Sequence, residues 1–379
     1  MEYTKLKCIN QYKSESINPA KTPDTIFEMY SVPVYETGHP EYLRGDEIAS
    51  NKAVVQKDDI LLCKINPRIN RVWVVSNESD KQNIASSEWI VIRNSEYNPE
   101  FLAWYFRTPK FQKLMTSEVT GIGGSLTRAQ PKCVAEYPVP VMDRKKQDEI
   151  VNVLNKCKFV VDSRQKELLE LDDLIKARFV EMFGDVQHEE KYKGIQLREL
   201  CTTMSGGTPS TKFPEYYEGD IPWISTVSLG PNYIDGTTAK GYITQEAVDN
   251  SATKLIPAGN ILFGTRVGVG KSSLNNVDIC TNQDIVAIVG IDESKFNRLF
   301  IKHVLDAYQP YYDSIKKGAT ILGITGDDLK DTLIPNVPIE IQIEFEKFVN
   351  QVDKSKLLVQ KSLDETQVLF NSLMQKYFG

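Results

Sequence analysis

Residues 265–272 read T-R-V-G-V-G-K-S, one residue short of a phosphate-binding loop. The Lys-Ser ending and the apolar run Asn260–Phe263 before it fit such a loop. Binding phosphate there also needs a helix N-terminus behind the glycines. Leu274–Cys280 has no helical periodicity, and Thr265 stands where the first Gly belongs. A Gly-rich turn between two strands is the better reading. His39, His188 and His303 lie far apart without metal-ligand spacing, and His303 falls inside an expected helix. No Ser-His-Asp set can be nominated, because residue types alone are not a geometry. The sequence therefore offers no catalytic residue and no metal site.

Asn98-Pro99-Glu100-Phe101 is one change away from the N-P-P-F motif of adenine amino-methyltransferases. An Asn cap, Pro at the first helical position and an acid in the first turn explain it as a helix start. Its helix would carry Phe101, Leu102, Tyr105 and Phe106 on one face, with Phe296–Tyr308 as a later counterpart. No G-x-G-x-x-G follows a strand to hold a dinucleotide or methyl donor. Six cysteines lie far apart with no C-x-x-C, which fits a reduced, cytoplasmic chain. No apolar run of ~18 residues predicts a membrane span, and the first residues have no signal-peptide pattern. The 379 residues suggest two or three domains. The net charge of −6 speaks at first sight against a nucleic-acid partner.

Two stretches hold neither Gly nor Pro: Lys145–Phe183 and Ile339–Phe378, each followed by Gly. In the first, Leu154, Val161, Leu168, Ile175 and Met182 recur every seven residues. Ile150, Cys157, Arg164, Leu171 and Arg178 form the complementary row of a heptad seam with two Arg defects. Such a helix would span ~58 Å and needs a partner. The second stretch repeats the first at an offset of 195: Gln147, Asn155, Leu168 and Phe183 match Gln342, Asn350, Leu363 and Phe378. Val349, Leu363 and Phe370 land on Leu154, Leu168 and Ile175. Upstream, 86–91 pairs with 281–286 at the same offset, and 57–61 resembles 258–262 at a slightly larger one. A repeat this long is a duplication, not a solenoid.

The fold class expected is α+β: mixed α/β globules over 1–141 and 186–337, each followed by a long helix, 142–185 and 338–379. Duplicated globules on long helices can present two similar surfaces at a fixed distance, and DNA is a natural target. Net charge divides as 0, −1, −4 and −1 over these four segments. Acid-free basic windows recur at matching places. Ile60–Asn77 holds Lys64, Arg68 and Arg71, and its partner Ile261–Val277 holds Arg266 and Lys271. Val119–Ala135 holds Arg128 and Lys132; Ser314–Gly326 holds Lys316 and Lys317. Gly, Ser and Thr intersperse them, as in Gly121–Thr127 and Gly318–Gly323. Such loops can bring backbone donors and cations to phosphates and base edges. A scaffold whose coiled coil joins two peptide- or ligand-binding globules, without DNA, fits the seam and acidity equally well.

Ser205-Gly-Gly-Thr-Pro-Ser-Thr-Lys-Phe-Pro-Glu-Tyr-Tyr217 is followed by Gly219-Asp-Ile-Pro-Trp-Ile-Ser225. Together they resemble the start of a target-recognition domain in the specificity subunits of type I restriction-modification enzymes. Ile256-Pro-Ala-Gly-Asn-Ile-Leu262, Thr281-Asn-Gln-Asp284 and Pro335-Asn-Val-Pro338 extend the resemblance. Its order of parts covers essentially the whole chain. The first globule lacks the G-G-T-P-S string and is more divergent. The resemblance implies a non-catalytic subunit whose two recognition domains each read half of a split, asymmetric double-stranded DNA site. It implies a pseudo-two-fold duplication with two antiparallel coiled-coil helices that fix the gap. It also implies docking of two modification subunits that use S-adenosylmethionine to methylate adenine. Restriction subunits that use ATP with Mg join them, and no cofactor is expected on this chain. Ser210, Thr211 and Lys212 are then further DNA-contact candidates, while Gly206, Gly207 and Pro209 shape a turn. Leu154, Val161, Leu168, Ile175, Val349, Leu363 and Phe370 are the expected helix-pair core.

Overall fold

The computed structural model describes residues 2–120, 127–188, 191–318 and 320–379. The chain forms two compact units, residues 1–165 with 361–379, and residues 166–360. Each long helix is thus shared between the units. The central helix runs Arg144–Phe183 and the distal helix Ile339–Phe378, 40 residues each, about 60 Å. Gly184 ends the central helix in the left-handed region, φ 79°, where a side chain would be strained.

In the first unit, a five-stranded sheet orders Ser16–Ile17, Lys52–Val54, Gln82–Ala85, Ile26–Tyr30 and Glu41–Arg44. A three-stranded antiparallel sheet orders Val72–Val74, Ile60–Cys63 and Trp89–Ile92. Glu28, fully buried in the larger sheet, accepts hydrogen bonds from Tyr30 Oη, Glu78 N and both Ser79 donors at 2.6–2.9 Å. Burial alone would raise its carboxyl pKa, but these donors hold it below the usual range. The helix Pro99–Phe106 starts as its sequence requires: the Asn98 side chain accepts from the Glu100 and Phe101 amides. All six of its residues from Phe101 to Phe106 are buried. They meet Ile150, Leu154 and Phe378 in one core, with Phe370 and Met374 packed on it. The start of the central helix therefore lies beside the end of the distal helix.

The second unit repeats this plan with the strand numbers of the two sheets exchanged. A five-stranded sheet orders Thr202–Ser205, Ile285–Val289, Ile261–Gly264, Ser272–Asn275 and Tyr233–Ile234. A three-stranded sheet orders Gly241–Ile243, Ile221–Ile224 and Cys280–Thr281. Arg298–Ala307 is the counterpart helix, capped by Asn297. Residues 265–271 turn between the antiparallel strands Ile261–Gly264 and Ser272–Asn275, with no helix behind them. The phosphate-loop geometry is absent there.

The helix pair is antiparallel inside this unit. Phe183 and Phe179 lie 5.4 and 5.5 Å from Phe345, Arg178 bonds Glu344 at 3.0 Å, and Asp172 pairs with Lys356. Going back along one helix is going forward along the other. The Arg178 seam defect is thus an ion pair at the seam's edge. Leu154, Val161, Ile175 and Val349 are buried as the heptad reading expects. Leu168, Leu363 and Phe370 are only half-buried, and Phe370 packs edge-on against Trp104. His303 is wedged between Phe179 and Phe345, and its buried Nε2 has no hydrogen-bond partner. Burial, aided by Lys302 and Lys356, pushes its pKa well below the usual imidazole value.

Candidate nucleic-acid interface

The basic windows come together in pairs. In the first unit, the strand Ile60–Cys63 delivers the chain to Lys64. Its N–H donates to the Glu88 carbonyl at 3.0 Å, and its carbonyl accepts the Ala129 N–H at 2.8 Å. Asn66 N–H donates to Thr127 O at 2.8 Å. Windows 60–77 and 119–135, some sixty residues apart, therefore lie side by side.

The second unit makes the same two bonds. Thr265 N–H donates to the Asp284 carbonyl at 2.8 Å, and Thr265 O accepts the Ile324 N–H at 2.8 Å. Ala129 and Ile324 are 195 residues apart, the repeat offset itself. The strands register one residue differently: Ile60 pairs with Ile92, and Ile261 with Ile288. Glu88 is therefore equivalent to Asp284, although the sequence offset of 195 matches it with Gln283. That one-residue shift hides an acid common to both sites. Glu88 binds Arg128 through two bonds of 3.2 and 3.3 Å, and Asp284 stands 3.9 Å from Arg266. Each carboxylate faces an Arg, from a different window in each unit, bonded in the first and at the edge of ion-pair distance in the second.

The other candidates divide by exposure and pairing. Arg68 is exposed on a loop held by a 2.6 Å bond from Gln112 Nε2 to its carbonyl. Lys132, Lys212, Lys271 and Lys317 are also exposed, and Lys64 is half-buried. None of these six makes an ion pair among the described residues. Arg71 is mostly buried, 4.0 Å from Glu36, and Lys316 is paired with Asp313. Residues 121–126 and Ala319, within the Gly-rich parts of two windows, lie outside the described residues.

The G-G-T-P-S string has a packing role at its start and a free loop at its end. A Cβ on Gly206 would strike the Asn282 carbonyl, and one on Gly207 the Thr253 amide. Gly207 O also accepts the buried Trp223 Nε1–H at 3.1 Å. Thr208 Oγ1 bonds Gln283 at 2.5 Å, which places the string beside Asp284 and hence near Arg266. Ser210, Thr211 and Lys212 follow, all exposed.

Sequence reasoning missed Glu88 and Asp284, and two buried glutamines. Gln147 Oε1 accepts the Asn98 N–H at 2.8 Å, and Gln342 Oε1 the Asn297 N–H at 2.8 Å. Each also donates Nε2–H to the carbonyl five residues back, Met142 or Val337, at 2.7 Å. Both glutamines stand among the repeat matches, which is the available signal.

Residues 189–366 match the family model of the type I restriction modification DNA specificity domain. A stretch of 141 residues is 30% identical to the type I restriction enzyme MjaIX specificity subunit of Methanocaldococcus jannaschii, covering 37% of this chain and 33% of that one. The EcoR124I/EcoR124II specificity subunit of Escherichia coli is 28% identical over 231 residues, 58% of this chain and 55% of that one. The matched stretches thus span a third and about half of these relatives. A chain from a structural study of assembly and conformational transition in a type I restriction-modification system shares the fold. The TM-score is 0.61 at 20% identity, covering 100% of this chain and 97% of that one. Residues 189–366 thus carry a type I restriction modification DNA specificity domain, and the chain as a whole is similar to type I specificity subunits in sequence over part of its length and in fold along all of it.

Proposed function

We propose that this chain is the non-catalytic subunit that selects the DNA site of a type I restriction-modification complex. Recognition domains over 1–141 and 186–337 would each read one half of a split, asymmetric site. The helical segments 142–185 and 338–379 would set the gap between the halves and dock partners. The observation that carries this reading is the pair of equivalent hydrogen bonds at Lys64 and Thr265, which twice sets two basic windows side by side. The unpaired cations Lys64, Arg68, Lys132, Lys212, Lys271 and Lys317 are available to phosphates, and Arg128 and Arg266, each beside a carboxylate, to guanine edges. The oriented carboxylates and the net charge of −6 weaken binding by the chain alone. Two modification subunits carrying S-adenosylmethionine would supply further positive surface and the methyl transfer. Restriction subunits with ATP and Mg would supply cleavage. Such a complex would work in the cytoplasm, and no helix among the described residues is long and apolar enough to cross a membrane.

The test is methylome sequencing of cells with and without this chain, after co-purification has identified its methyltransferase partner. One split adenine motif should vanish on deletion and return on complementation. An unchanged methylome in cells that express the partner would overturn the reading.

A further inference from the structure

We propose that Ile321 and Leu322 form an apolar wedge that enters a base step of the half-site read by the second unit. This rests on the DNA-reading role above and adds to it a residue-level device. Both side chains are large, adjacent and more than half exposed, at 54% and 57%. Val267, 52% exposed, stands on the neighbouring turn beside Arg266. The loop that carries Ile321 and Leu322 is closed at its base by two hydrogen bonds. Lys317 N–H donates to Gly323 O at 2.8 Å, and Gly323 N–H donates to Lys317 O at 3.0 Å. The next residue, Ile324, is bonded to Thr265, so the base of the loop lies against the Arg266 turn.

The surroundings select the occupant. Lys317 and Lys271 are exposed and unpaired among the described residues, and Arg266 meets only the distant Asp284 carboxylate. Exposed apolar residues on a loop near cations match a duplex: the cations hold phosphates while the apolar side chains reach the stacked bases. A purely apolar protein surface would leave those cations desolvated and unmatched. Insertion unstacks one step and kinks the duplex, and pyrimidine–purine steps yield most readily. The wedge would therefore add a preference for TA or CA/TG at one position without a hydrogen bond to a base.

The experiment uses the chain assembled with its methyltransferase partner, and duplexes carrying the motif that methylome sequencing assigns. 2-Aminopurine is placed at each step of the second half-site, and end-to-end energy transfer reports bending. The wild-type complex should raise the fluorescence severalfold at one step and shorten the end-to-end distance. Ile321→Ala with Leu322→Ala should abolish both signals and flatten the preference at that step. Its melting temperature and the salt slope of binding should match wild type. Arg266→Ala with Lys271→Ala should do the reverse: lower the salt slope while a saturated complex keeps the fluorescence. Specific binding with no unstacked step, or unstacking unchanged in the alanine pair, overturns the wedge and leaves the DNA-reading role standing. Loss of partner assembly in the alanine pair would assign the two residues to a protein interface and also overturn it. Failure of the wild-type complex to prefer its motif would instead overturn the DNA-reading role.

Discussion

The side chain of Gln342 accepts the backbone N–H of Asn297 at 2.8 Å, joining the first turn of the distal helix to the cap of the helix Arg298–Ala307. Gln342 is fully buried and also donates to Lys295 O and Val337 O. It is a polar bolt between the cap of that helix and the distal helix. Gln342→Leu leaves three backbone groups without that partner. A loss of about 1–3 kcal/mol is expected, read as a lower urea midpoint with an unchanged slope. Gln147→Leu should do the same through Asn98, and an unaltered midpoint in both would contradict the bolt.

The two ends of the G-G-T-P-S string should separate in their effects. Gly207→Ala drives a methyl into the Thr253 backbone, so it should destabilise by about 1–3 kcal/mol. Lys212→Ala, on the exposed loop, should stay within about 0.5 kcal/mol of wild type. Thermal melting of the two variants decides it; equal melting temperatures would mean that the string has no packing half.

The heptad seam is graded rather than uniform. Leu154 is fully buried, and Leu154→Ala should cost about 2–5 kcal/mol. Leu168 is half-buried and outside both large cores, so Leu168→Ala should cost clearly less. Equal destabilisation of the two variants in chemical denaturation would refute the grading.

Protonation of His303 should penalise the second unit. Its folded pKa lies well below the unfolded value of about 6.5 because the imidazole is buried near Lys302 and Lys356. The unfolded chain therefore takes up the proton first. Stability is lost as pH falls below about 6.5, with a slope of at most about 1.4 kcal/mol per pH unit until the folded pKa is reached. His303→Phe removes this group's slope and no hydrogen bond. Parallel stability curves between pH 7 and 5 for the variant and wild type would exclude the effect.

Neutralising Arg266 and Lys271 together should reduce the log–log salt slope of DNA binding. The expected decrease is about 0.9 for each phosphate that is no longer neutralised, up to about 2 for the pair. Affinity titrations of the assembled complex at several salt concentrations measure it, and an unchanged slope would remove both residues from the interface.

The long helices are legible because nothing in them breaks a helix. Absence of Gly and Pro locates Ile339–Phe378 at both ends and Arg144–Phe183 to one residue. The period of seven finds Leu154 and Ile175 but overstates Leu168 and Leu363. Phe179 and Phe183, at steps of four from Ile175, follow the 3.6-residue helix toward the aromatic core rather than the seam. The basic windows are visible as composition, yet their adjacency is not. It arises from backbone bonds between strand ends far apart in the chain, made by amides that every residue other than proline possesses. The acids at Glu88 and Asp284 are masked by a one-residue slip that only strand register reveals.

The division of both helices between the compact units bears on how such a chain can be recombined. Replacing one unit by a relative's requires two breakpoints, one inside each helix. The unit boundaries fall at Gln165–Lys166 and Gln360–Lys361, the same dipeptide in both helices. A graft joined at these two places keeps Phe370, Met374 and Phe378 with the core they fit. A single join in the central helix would instead seat them against a foreign core. The repeated Gln-Lys pair is thus a natural suture, where a hybrid chain exchanges one unit without disturbing the packing of the other.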